Sequence, residues 1–132
     1  MSRFLPIAIV VLALLDGLIH LGVDLFVFPR FNLGNSLMVL LLLNFLGYVV
    51  LVVAFYALRN APIPWRRALD GVFILYALTT IVMWATRGGP NPRGLGYTAK
   101  VVEVLLILAL LAHAFTLGRE TPAMTAAGAT RE

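Results

Sequence analysis

The chain has no cysteine, and charged side chains make up only 12% of its 132 residues. The absent cysteine excludes a disulfide framework, a CxxC redox pair and thiolate metal ligation. The scarcity of charge excludes more. Apolar residues reach 61% and mean hydropathy is +0.98, whereas soluble domains carry about 25% charged and about 45–50% apolar residues. So short a chain cannot hide that much apolar surface in a water-soluble core, which removes disordered proteins, nucleic-acid modules and ordinary cytosolic enzymes. The net charge of +4 does not restore nucleic acid as a partner, because nine of the ten basic residues are arginines scattered at the edges of apolar runs. The composition is that of a protein in lipid.

Four apolar runs, about 4–28, 34–58, 68–86 and 97–118, each approach the ~20 residues that cross a hydrocarbon core as a helix. The first continues well past the h-region of a secretory signal and lacks a small-x-small cleavage site, so it is read as a retained span. Between the runs lie short stretches rich in proline, glycine and asparagine at 29–33, 59–67 and 87–96. Loops this short predict an all-α, antiparallel four-helix transmembrane bundle, up-down-up-down, as one domain over 1–118. The Thr/Ala-rich stretch 119–132 is expected to be a flexible tail. With both termini cytoplasmic, Arg3, Arg59, Arg66, Arg67, Arg119 and Arg131 lie inside and Arg30, Arg87 and Arg93 outside. The positive-inside rule favours that orientation, in the cell membrane.

The few polar residues within the runs carry the functional information. Asp16, Asp24 and Glu103 lie well within apolar spans, as do His20 and His113, with the sole lysine, Lys100, near the start of the fourth. An ionised side chain at mid-span costs about 2.5–3.5 kcal/mol, so each needs a partner, neutralisation or a function. Asp16, His20 and Asp24 are spaced four apart and share one stripe of the first helix; Lys100 and Glu103, three apart, share a face of the fourth. Counting rise per residue puts Asp16, Tyr48 and Tyr76 near mid-membrane and His20, Asp24, Asn44, Thr80, Lys100 and Glu103 in the outer half. These nine predict one outward-facing polar pocket above a dry inner half lined by leucine, valine and alanine. His113 lies outside it and is expected to be a solvated or carbonyl-bonded residue near the inner interface.

Several functions are compatible with such a pocket. The first is binding of a small lipophilic ligand or cofactor, of the quinone, isoprenoid, lipid, haem or metal class, between apolar walls with a few convergent polar groups. A metal would use His20, Asp24 and Glu103, or Asp16 in place of Asp24. A bis-histidine haem on His20 and His113 is disfavoured, because the two lie about 14 Å apart in depth. The alternative is a structural accessory subunit of a larger membrane complex or homo-oligomer. A third reading is proton or ion translocation. No catalytic constellation is recognised.

The segments Gly17-Leu18-Ile19-His20-Leu21, Leu43-Asn44-Phe45-Leu46-Gly47-Tyr48, Thr79-Thr80 and the stretch 95–104 resemble a group of small prokaryotic four-span integral membrane proteins of uncharacterised function. The resemblance implies the four-span fold and draws attention to His20, Asn44, Lys100 and Glu103. It lends no activity.

Overall fold

The computed structural model of the chain describes residues 4–27 and 34–129. Arg3, Arg30 and Arg131, which enter the orientation argument, and the expected loop 29–33 lie outside the described residues. The described chain is helical, with no strand, and four helices pack together: α1 (Phe4–Val27), α2 (Ser36–Ala57), α3 (Ile63–Thr86) and α4 (Leu95–Ala129). Each contains a stretch long and apolar enough to cross a membrane. α4 continues as helix beyond Gly118 to Ala129.

The helix starts follow from local chemistry. Asn35 caps α2, its Oδ1 accepting from the backbone N–H groups of Leu37 (3.0 Å) and Met38 (3.4 Å), two donors that have no partner inside the helix. α3 begins at Ile63 rather than 68, because Pro62 stands at its N-cap and Pro64 falls in the first turn. There the missing N–H costs nothing, so a proline pair that reads as a loop starts a helix. Gly88 and Gly89, both at positive φ, turn the chain out of α3. The connection is then pinned to α4: the Trp84 indole donates to Pro90 O (2.8 Å), and Asn91 Oδ1 accepts from Tyr97 N (3.1 Å). Gly96 permits this docking, since a Cβ there would meet the Pro90 carbonyl.

α1 packs along α2 and α4, and α3 packs along α4, whereas α2 and α3 meet over a short length only. On α4 the buried residues Ala99, Glu103, Leu106, Leu110, His113 and Leu117 recur at alternating spacings of four and three, the seam of knobs-into-holes packing. Asp70, Phe73 and Ala77 make the matching stripe on α3. Ile9, Ala13, Tyr48, Phe73, Leu106 and Leu110, all fully buried, form the core. Outside that seam the helices are apolar but uncovered: Phe4, Leu25, Val50, Leu75 and Phe115 are 82%, 63%, 65%, 66% and 71% exposed.

Candidate functional site

The alternating seam brings α1, α3 and α4 together around Glu103. Lys100, one turn before it, places Nζ 2.6 Å from both carboxylate oxygens, and Thr80 Oγ1 on α3 donates to Oε1 at 2.7 Å. From α1, His20 approaches with Nε2 3.9 Å from the same Oε1. Its other nitrogen, Nδ1, donates to the carbonyl of Asp16 one turn back, at 2.9 Å. In the neutral imidazole this leaves Nε2 as the acceptor nitrogen, on the Glu103 side of the ring. Asp16 Oδ2 is 3.5 Å from His20 Nδ1, whose proton is directed to the Asp16 carbonyl instead. Neither Asp16 oxygen has a hydrogen-bond partner, although the residue is fully buried. Unsatisfied polar atoms in so dry a place are costly and call for an explanation.

Tyr48 closes the cluster from α2, its ring 6.5 Å from that of His20 and edge-on to Tyr76 at 5.2 Å. Its buried hydroxyl is also unpartnered. Tyr76 in turn donates to the backbone carbonyl of Asn44 (3.2 Å), across Gly47, where a Cβ would collide with the tyrosine hydroxyl. Asn44 Oδ1, buried, has no partner.

Where α2 and α3 diverge, a cleft of about 320 Å³ opens. Its walls are apolar, including Leu37, Leu41 and Met83, and its polar lining includes His20, Asn44, Thr80 and Lys100. A second cleft of about 300 Å³ is lined by Val23, Ala99 and Gly96 and shares His20, Lys100, Leu41 and Trp84 with the first. Of the nine residues expected in one pocket, His20, Asn44, Tyr76, Thr80 and Lys100 line the first cleft, while Asp16, Tyr48 and Glu103 line neither cleft and pack around His20 and Thr80. Asp24 does not join them. It is buried, its oxygens have no hydrogen-bond partner among the described residues, and it lies outside both clefts and the Asp16–His20–Glu103 group. The residues whose donor atoms fall within 4.8 Å of one another are Asp16, His20 and Glu103. Asp16 thus takes the place of Asp24 in the expected metal set, because Asp24 lies one turn beyond His20, on the far side from Asp16.

Two further expectations are overturned. His113 is neither solvated nor carbonyl-bonded: it is 2% exposed, and its Nδ1 lies 2.8 Å from Asp70 Oδ2. The half of the bundle expected to be dry therefore holds a buried histidine–carboxylate pair, which ties α3 to α4, with Phe55 against the imidazole at 5.3 Å. Asp70 escaped the sequence reading because it stands beside Arg66 and Arg67 at the edge of an apolar run. The Asp70-Phe73-Ala77-Thr80 spacing, continuing the stripe that holds Thr80, was the signal that could have placed it inside.

Comparison of the chain with protein-family models, curated proteins and solved structures gives no match. The functional reading rests on the residues themselves.

Proposed function

We propose that the chain is a multi-pass membrane protein, an antiparallel up-down-up-down bundle, whose α2–α3 cleft binds a small lipophilic molecule by its polar head. The carrying observation is the cleft of about 320 Å³ whose leucine walls end at His20, Asn44, Thr80 and Lys100. Such a volume, largely apolar with a few convergent polar groups, has the general form of a small-molecule site. Asn44 Oδ1 supplies a buried acceptor with no hydrogen-bond partner among the described residues, which suits a ligand hydroxyl or N–H. The pairings Thr80 with Glu103 and Asp70 with His113, in which position rises along α3 as it falls along α4, support the antiparallel arrangement. The exposed leucine, valine and phenylalanine outside the seam support lipid as the surrounding solvent. The arginine distribution favours both termini on the cytoplasmic side.

The ligand class is an amphiphile such as a quinone, an isoprenoid or a lipid. Translocation is less well supported, because fully buried Phe73, Leu106 and Leu110 separate Glu103 from His113, which lie ten residues or about 15 Å apart along α4. The reading is tested by gentle detergent extraction followed by native mass spectrometry and lipid analysis. A bound amphiphile in stoichiometric amount is expected, lost in Leu41→Trp, which fills the cleft while leaving the polar cluster in place. A chain that carries no amphiphile, or that keeps it in Leu41→Trp, contradicts the reading. In that event a structural accessory subunit, with the cleft receiving a partner helix, takes its place.

A further inference from the structure

We infer that Asp16, His20 and Glu103 form a binding site for a divalent transition-metal cation of the Mn²⁺, Fe²⁺ or Zn²⁺ type. Three observations converge on it. One ligand atom from each residue lies within 4.8 Å of the others, and all three residues are buried. Metal–ligand bonds of about 2.0–2.2 Å place neighbouring ligands slightly over 3 Å apart and opposed ones slightly over 4 Å apart, so small side-chain rotations close the set. The second observation is the histidine tautomer. With Nδ1 donating to the Asp16 carbonyl (2.9 Å), Nε2 stands 3.9 Å from Glu103 Oε1, too far for a hydrogen bond, and in the neutral imidazole is the nitrogen left to ligate. The third is Asp16 itself, a fully buried carboxylate with neither oxygen hydrogen-bonded. Glu103 has Lys100 at 2.6 Å to balance it, whereas Asp16 Oδ2 stands 3.5 Å from His20 Nδ1.

The donor set selects the ion. Imidazole suits zinc, iron and their neighbours, and carboxylate suits manganese and magnesium, so one nitrogen with two carboxylates and no thiolate favours a borderline divalent cation over Cu(I) or Ca²⁺. The backbone carbonyl bonded to Nδ1 is the outer contact that orients a ligating histidine. Lys100 does not block the site: its ammonium touches both Glu103 oxygens at 2.6 Å, and retreat to Oε2 alone frees Oε1. Entry is through the two clefts, which both reach His20 and Lys100. The inference does not depend on a lipophilic occupant in the cleft.

The test titrates the purified, chelator-stripped full chain with Mn²⁺ and counts bound ion by electron paramagnetic resonance. The wild type should bind one Mn²⁺ per chain, displaced by Zn²⁺, with nitrogen modulation in the pulsed spectrum from a directly bound imidazole. Asp16→Asn and Glu103→Gln should each weaken binding by about tenfold or more, His20→Gln should abolish the nitrogen signal, and Lys100→Met should bind at least as tightly as the wild type. Met83→Trp, which fills the first cleft and leaves the second open, should retain the ion, which separates this site from the first cleft. Absence of bound Mn²⁺, or of nitrogen modulation, in the wild type overturns the inference without reference to any variant's folding. Weakening by Lys100→Met overturns it as well, because a lysine that aids binding marks an anion site.

Discussion

The bundle holds two buried histidines, each beside a carboxylate, and they are built differently. His113 and Asp70 meet at 2.8 Å across α3 and α4, beside a cavity of only about 50 Å³. His20 spends its Nδ1 on its own helix, stands 3.5 Å from Asp16 Oδ2 and 3.9 Å from Glu103 Oε1, and borders two clefts of about 300 Å³ or more. At the first site a single oxygen, Asp70 Oδ1, is left over; at the second both Asp16 oxygens, the Tyr48 hydroxyl and Asn44 Oδ1 lack partners. Identical residue types are thus built in two ways. A pair that satisfies itself fixes the register of two helices, while an open cluster with space beside it leaves bonding capacity unused, which is what the proposed binding role requires.

The largest effect should come from breaking the closed pair. Asp70→Leu strands His113 in the core, with an expected loss of about 3 kcal/mol, the lower end of the range for removing one member of a buried ion pair. Reversible unfolding in mixed micelles measures it, and ion binding at Asp16 should persist under folding conditions. Gly47→Ala comes next. Its Cβ drives the Tyr76 hydroxyl off the Asn44 carbonyl, for an overpacking cost of about 1–2 kcal/mol, and the displaced ring should reduce amphiphile retention in native mass spectrometry. Asp16→Asn should have the smallest effect on stability, within about 0.5 kcal/mol of the wild type or on the stabilising side, because the amide keeps the shape of the buried carboxyl group it replaces. A large loss of stability in Asp16→Asn would erase the contrast between the two sites.

The spans were legible because apolar length alone defines them. The start of α3 was not, since Pro62 and Pro64 look the same in a loop as in an N-terminal turn. The stripe of Asp16 and His20, and the pairing of Lys100 with Glu103, could be read from spacings of four and three within single helices. Thr80 could be assigned to the same level by counting rise per residue. Asp24 shares the periodicity but not the neighbourhood, because a helical stripe is straight while α4 meets it only over a limited length. The pairing of Asp70 with His113 is illegible for a related reason: the two lie on different helices, 43 residues apart, and the helical spacing of Asp70 from Arg66 and Arg67 points to a solvated edge rather than to a buried partner. Contacts between helices are set by packing, and only the four-three seam on α4, running from Glu103 through Leu106 and Leu110 to His113, announces that His113 faces inward.

The central claim, that the open cluster serves binding and the closed pair serves the fold, is tested most directly by native mass spectrometry of His20→Ala beside His113→Gln, a substitution that can still hydrogen-bond Asp70. The account predicts that the mass of bound species disappears in His20→Ala and remains in His113→Gln. Retention in His20→Ala, or equal loss from both, would contradict it.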